Sequence, residues 1–257
     1  MKIGIIGLGF VGSSVKNAYD KANIETINLD PGKGYNCSIK DLFSTDAIFV
    51  CVPSPQDSSG KCDTSVLESV LTQLLSYPNP IISKVTAPPG TYDMLLKKYD
   101  NLVHAPEFLV AATAKEDYLN GKFAIVGGNF PFTEQALEII KLGQTKIEYT
   151  KLCSIKEASL TKYTINSFLA TKVVFFNQLY ELAKQIDVDY SSLINSVSLD
   201  TRLGHSHFQV PGPDGLFGFG GACFPKDTSA LEYYARSENV NLSLLSEAIK
   251  VNKTIRK

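Results

Sequence analysis

The chain has 257 residues, 44% hydrophobic and 20% charged, with 25 Lys and Arg set against 26 Asp and Glu for a formal net charge of −1. That is globular composition with length for two domains or one large α/β domain, and it excludes global basicity toward nucleic acid and any apolar run of membrane-spanning length. The five cysteines, Cys37, Cys51, Cys62, Cys153 and Cys223, are scattered and odd in number, which fits a reducing compartment better than a disulfide framework.

The N-terminus meets Gly4 and Gly7 too early for the apolar core of a signal peptide, so a cytoplasmic protein is expected. Residues 2–6 form a short apolar run suited to a buried parallel strand, which leads into Gly7-Leu8-Gly9-Phe10-Val11-Gly12 and a helical stretch over 13–21. In this G-x-G-x-x-G arrangement Gly7 makes the tight turn, Gly9 lets a pyrophosphate approach the backbone, and Gly12 packs helix on strand. The pyrophosphate then lies at the positive end of the helix. A second apolar run over 24–29 ends in Asp30, placed to accept hydrogen bonds from adenosine ribose hydroxyls. An acid there repels a 2′-phosphate, so NAD is expected rather than NADP.

The alternation then continues. Strands are expected over 47–52, 80–84, 102–104, 123–126 and 146–149, and helices over 65–76, 90–99 and 132–142. Pro53-Ser54-Pro55 stops the strand before it, and Asp63-Thr64 can cap the first of these helices. The expected fold class is α/β: a Rossmann-type, doubly wound, mostly parallel sheet over 1–152, with its ligand crevice at the carboxyl ends of the strands. Two loops leave those ends. Thr86, in Lys84-Val85-Thr86-Ala87-Pro88-Pro89-Gly90-Thr91, can hydrogen-bond a substrate or a water. Glu107, in His104-Ala105-Pro106-Glu107-Phe108-Leu109, stands in mainly apolar company that would raise its pKa and make it a usable base. Each loop, alone, also reads as purely structural.

Residues 154–187 carry apolar side chains at helical spacing (Leu160, Tyr163, Phe168, Val173, Phe176, Leu179, Leu182, Ile186) with no glycine or proline, and read as one long bridging helix. It opens an all-helical second domain over 153–257. Lys162 and Asn166 lie one turn apart on it and can point at one substrate oxygen; a solvated Lys–Asn pair is the plainer alternative. A shorter helix over 189–198 precedes a Gly- and Pro-rich loop over 201–221 of a length that is usually functional or disordered. His205 and His207 lack a third ligand at recognisable spacing, so no metal is expected. Helices over 227–237 and 242–256 follow. Between loop and helix, Cys223 stands after Gly218-Phe219-Gly220-Gly221 and before Lys226 and Asp227. A nearby ammonium and a helix N-terminus make a reactive thiolate; a structural cysteine in a glycine loop is the alternative.

Together these residues resemble the UDP-glucose/GDP-mannose dehydrogenase family of NAD-dependent nucleotide-sugar oxidoreductases. The resemblance rests on Gly7 to Gly12, Cys51-Val52-Pro53-Ser54-Pro55, Thr86 to Thr91, Pro106-Glu107-Phe108-Leu109, Lys162-Tyr163 with Asn166, Arg202-Leu203-Gly204 and Gly218 to Asp227. It implies a four-electron oxidation of a sugar C6 alcohol to the carboxylate, in which Cys223 attacks the intermediate aldehyde and carries a thioester. It further implies that Lys162 and Asn166 stabilise the alkoxide, Asp227 positions water, and Thr86 and Glu107 order water and act in base catalysis. Val52, Pro53, Ser54, Thr86 and Lys226 would join Gly7, Gly9, Phe10, Val11, Gly12 and Asp30 at the cofactor. Phe108, Leu109, Phe219, Gly220 and Gly221 would line the sugar pocket, with Arg202 reaching a substrate across a homodimer built on the central helices. Two departures stand out: Ala111 occupies a family glutamate position, and the family's third, nucleotide-binding domain is absent from this chain. They imply, as an alternative, a weakly catalytic or regulatory NAD-binding subunit working with a full-length partner. A two-electron hydroxyacid dehydrogenase shares the sheet and long helix but leaves Cys223 without a role.

Overall fold

The computed structural model describes residues 1–256. They form two compact units: Met1–Pro55 with Cys62–Lys162, and Gln56–Lys61 with the chain from Tyr163 onward.

The first unit is built on eight strands: β1 (Lys2–Ile6), β2 (Glu25–Asp30), β3 (Tyr35–Asn36), β4 (Ala47–Val50), β5 (Ile81–Ser83), β6 (Leu102–His104), β7 (Phe123–Gly127) and β8 (Tyr149–Cys153). They form one sheet in the order β3-β2-β1-β4-β5-β6-β7-β8, parallel except where β3 meets β2 and β7 meets β6. Helices α1 (Phe10–Lys21), α2 (Ile39–Leu42), α3 (Ser65–Gln73), α4 (Pro89–Leu96), α5 (Ala114–Asn120) and α6 (Phe132–Gly143) cover it. Successive strand residues point to opposite faces, and here both faces are buried. Ile3, Ile5, Ala47 and Phe49 join one cluster with Val15, Tyr19, Tyr118 and Ile140. Ile6, Ile48 and Val50 join another with Leu67, Leu71 and Tyr92. Burial on both sides is why these strands read as unbroken apolar runs.

Several boundaries differ from expectation. The last strand lies at Tyr149–Cys153 rather than 146–149, set by its register with β7, where Phe123 pairs with Tyr149 and Gly127 with Cys153. It is a largely exposed edge strand with little apolar pattern to read. The run over 47–52 leaves the sheet after Val50. Helix α1 begins at Phe10, three residues before the expected start, so Gly12 lies inside its first turn. The short elements β3, α2 and α5 carry too few periodic residues to be seen in the sequence.

Helix α7 (Ile155–Gln185) starts in the sheet unit and continues into the helical one. The two units divide between Lys162 and Tyr163, beyond the boundary expected at 152–153, because the first turns of α7 pack on the sheet. Ile155 lies in the second apolar cluster, and the Ser159 hydroxyl donates to the Ala87 carbonyl at 2.6 Å.

The second unit continues with α8 (Tyr190–Val197), α9 (Phe224–Ser237) and α10 (Ser243–Ile255). The Asp189 carboxylate caps α8 by accepting from the Ser191 and Ser192 amides. Ala170, Val174 and Phe219 form a small core with Val173, Phe224 and Val251. No helix among the described residues is long and apolar enough to cross a membrane.

Candidate active site

The glycine turn follows β1. At Gly7, φ is +84°, and a Cβ there would crowd the Cys51 carbonyl; a Cβ at Gly12 would overlap the Gly7 carbonyl oxygen. Nothing lies within 4 Å of the place a Cβ would take at Gly9, the residue that caps α1, and no side chain caps that helix. The first-turn amides that follow Gly9, those of Phe10 and Val11, are therefore open to an anion. Asp30, ending β2, accepts the Leu8 amide on Oδ2 at 2.7 Å, which sets its carboxylate beside the turn. Lys33 donates to the Leu8 carbonyl. An open backbone cradle flanked by an acid fits the pyrophosphate and ribose of a dinucleotide. Beyond β4, Val52 is half-buried and Pro53 exposed, while Ser54 is buried and donates to the Thr86 carbonyl at 2.7 Å, tying the loops after β4 and β5 together.

A buried polar cluster lies where β5 and β6 end. Lys162 donates from Nζ to the Glu107 carbonyl at 2.6 Å, stands 3.4 Å from Glu107 Oε1, and sits 5.2 Å from the centre of the Phe108 ring. Glu107 Oε2 accepts the Leu109 amide at 2.8 Å. The company of Glu107 is thus not mainly apolar, contrary to the sequence-based expectation: it is an ammonium and a backbone donor, which the linear run could not show. Phe108 also packs on Phe123 at 4.9 Å, and Leu109 is half-buried. Thr86 is half-buried at the mouth of its loop.

Three neighbours escaped the sequence reading. Lys84 is buried, and burial pushes its ammonium down to about 8. His104 stacks on Tyr92 at 4.2 Å and faces the Ser83 carbonyl through Nδ1; burial pushes it down to about 3, and its Nε2 has no hydrogen-bond partner among the described residues. Tyr118 is buried, and its hydroxyl has no hydrogen-bond partner among the described residues. Their signal was faint: a lysine directly after an apolar strand, a histidine ending another, and a tyrosine in an unrecognised short helix.

In the helical unit, Cys223 is half-buried and is itself the N-cap of α9, because the helix starts at Phe224 and not at Asp227 as expected. The Cys223 carbonyl accepts the Asp227 amide at 2.8 Å. Asp227, only 1% exposed, accepts Asn166 Nδ2 on Oδ2 and Lys226 Nζ on Oδ1, both at 2.6 Å. Asn166 is therefore a buried partner of an acid and not half of a solvated pair with Lys162. The Lys226 ammonium is likewise directed to Asp227.

The loop bearing Phe219 is pinned from its backbone. The Gly218 amide donates to Asn177 Oδ1 at 2.9 Å, the Phe219 amide to Asn252 Oδ1 at 2.7 Å, and Asn252 Nδ2 to the Phe219 carbonyl at 3.0 Å. Arg256 donates to the Phe217 and Gly218 carbonyls and to Asp214, leaving no room for a Cβ at Gly220, while Gly221 stands open. Asn177, Asn252 and Arg256 gave no sequence signal, since polar residues on helices are ordinarily solvated. Arg202 lies in a short turn (Thr201–Leu203) with its guanidinium 87% exposed and paired with Asp200. Ala111 is exposed in a similar turn (Ala111–Thr113). His207 Nδ1 meets the Ser206 hydroxyl, and no group of three His, Cys, Asp or Glu side chains is gathered for a metal among the described residues.

Comparison with known proteins places this geometry. The NAD binding domain of the UDP-glucose/GDP-mannose dehydrogenase family matches residues 33–141, and the central domain of the same family matches residues 156–254. The UDP-glucose 6-dehydrogenase of Rickettsia conorii is 31% identical over 244 residues, which cover 91% of this chain and 54% of that protein. The UDP-glucose 6-dehydrogenase AglM of Haloferax volcanii is 26% identical over 309 residues, covering 98% and 69%. A UDP-glucose dehydrogenase structure from Pyrobaculum islandicum shares the fold with a TM-score of 0.80 at 24% identity, over 98% of this chain and 68% of that one. The chain spans about half the length of its Rickettsia relative. With one family matching on both sides of the division in α7, the chain belongs to the UDP-glucose/GDP-mannose dehydrogenase family, and NAD is the cofactor of its N-terminal unit.

Proposed function

We propose that the chain oxidises the C6 alcohol of a nucleotide sugar to the carboxylate with NAD, using Cys223 as a covalent nucleophile. The observation that carries this is Cys223 at the N-cap of α9, followed one turn on by a buried Asp227 held by Asn166 and Lys226. A thiol at a helix N-terminus is favoured as thiolate. NAD, when bound, accepts a hydride at each of the two oxidations. The protein's own groups do the rest. The Cys223 thiolate bonds to the aldehyde carbon as a thiohemiacetal, which becomes a thioester when that carbon gives up its hydride in the second oxidation; water then adds to the carbon, the C–S bond breaks, and the thiolate leaves with the electron pair. Lys162 stabilises the negative oxygen, and its spacing of one turn from Asn166 supports a shared role for the two. Glu107, buried and held by Lys162 and the Leu109 amide, removes protons, with Thr86 ordering water. The same reading makes the chain a homodimer, supported by exposed apolar residues along α7 and by the outward guanidinium of Arg202.

The test is incubation of the purified chain with NAD and a panel of UDP- and GDP-sugars, following NADH and the acid product. Two NADH per acid are expected, and Cys223→Ala should abolish acid formation. Acid formation undiminished by that substitution would rule out the thioester route. Ala111, exposed where the family carries a glutamate, favours a second reading, a regulatory subunit. Turnover at ordinary enzymatic rates, roughly 1 per second or more, would exclude it.

A further inference from the structure

Burying an ammonium group is costly unless something compensates it, and Lys84 is a buried ammonium that the mechanism above does not use. It follows β5 directly, with its amide tied to the Val50 carbonyl at 2.9 Å. Among the described residues its Nζ is assigned no hydrogen bond or ion pair; its described contact is the Tyr118 ring, 5.6 Å away at the centroid. Lys84, Tyr118, Glu107 and Asp117 line one cavity of about 80 Å³, beside Phe108 and Leu109.

The groups facing Lys84 come from every neighbouring element. Cys51, after β4, is a thiol pushed up to about 12, so it is neutral. His104, in β6, is neutral for the reason given above, and Tyr118, on α5, is raised by burial and also neutral. Asp117, on α5, spends Oδ2 on the Val110 amide and the Thr113 hydroxyl. Lys162, on α7, is a second cation and is already against Glu107. Of the two carboxylates that line the cavity, Glu107 is the one electrostatically coupled to Lys84.

We propose that Lys84 is a positioning residue for Glu107: its ammonium and that of Lys162 bracket the carboxylate and hold it oriented in the cavity. This rests on the reading of Glu107 as the base. Lys84 gives up its proton as pH rises through about 8, so the bracket becomes one-sided on the alkaline side.

The test has two arms. In cofactor-free protein carrying ¹³C-lysine, the Lys84 Cε resonance, assigned through Lys84→Arg, is titrated in wild type and in Glu107→Gln. The Lys84 midpoint is expected to fall by about one unit when the carboxylate is neutralised. An unchanged midpoint overturns the proposal. In the second arm, kcat/KM is followed against pH. Lys84→Arg, which stays charged, is expected to shift the alkaline limb upward by one unit or more relative to wild type; a limb that does not move overturns the positioning role. The NMR arm decides the coupling without turnover, so a chain inactive on every sugar overturns the proposed function and not the Lys84–Glu107 coupling. If Lys84→Arg fails to fold, Lys84→Gln carries the assignment, and the first arm still decides.

Discussion

His104 shows how a single buried residue ties this fold to pH. Its Nδ1 faces the Ser83 carbonyl, so Nδ1 carries the proton and Nε2 is left as an acceptor in a fully buried place. Burial pushes the ring down to about 3 from an ordinary 6.5, so the folded protein keeps it neutral. As pH falls below 6.5 the unfolded chain takes up a proton that the folded chain refuses until about 3. The contribution is therefore complete above 6.5 and lost on acidification, at about 1.4 kcal/mol per pH unit. Urea unfolding at pH 7 and pH 5 is expected to show wild type losing about 2 kcal/mol more than His104→Gln, the difference removing the effect of carboxylates common to both. Equal losses would mean that the imidazole titrates normally in the fold.

At the scale of elements, what could be read in the sequence was what repeats. Strands buried on both faces and helices with an apolar stripe announce themselves, as β1, β4, β6 and α7 did. β8 did not, because an edge strand such as Tyr149-Thr150-Lys151-Leu152-Cys153 has no buried face to write into its pattern. Candidate residues stood out in the sequence where a local motif gathers them, as at Gly7 to Gly12 and around Cys223. Contacts made across the fold left no such trace: the Glu107–Lys162 pair spans 55 positions, and Asn252 lies 33 from the loop it holds. Asn252 makes one such contact measurable. It is buried, and it accepts from the Phe219 amide and donates to the Phe219 carbonyl, closing α10 onto the loop before Cys223. Asn252→Ala leaves both backbone groups without partners, at a cost of about 2–4 kcal/mol. Lower stability in urea and faster hydrogen exchange of the Phe219 amide are expected together. A stable variant with an unchanged exchange rate would show that the loop keeps its shape without this residue.

For the whole molecule, the open question is what covers α7. Phe168, Phe175, Leu182 and Ile186 are 65%, 54%, 53% and 60% exposed. Their spacing of seven, seven and four places them on one face of the helix. Full burial of one such side chain stabilises by about 1.5–3 kcal/mol, so a second copy laid along this face would gain several kcal/mol from four residues on each chain. That supports the proposed homodimer, and light scattering should give twice the chain mass for wild type and the monomer mass for Phe168→Ser combined with Phe175→Ser and Leu182→Ser. Arg202 extends the test from assembly to function. If its exposed guanidinium serves the partner's substrate, Arg202→Ala and Cys223→Ala are each inactive alone but complementary when mixed. Random exchange makes half the dimers mixed, and one of the two sites in each mixed dimer then has both residues. An equimolar mixture should recover about a quarter of wild-type acid formation. Recovery near zero in a mixture shown to exchange subunits would confine Arg202 to its own chain and leave the dimer without a catalytic role.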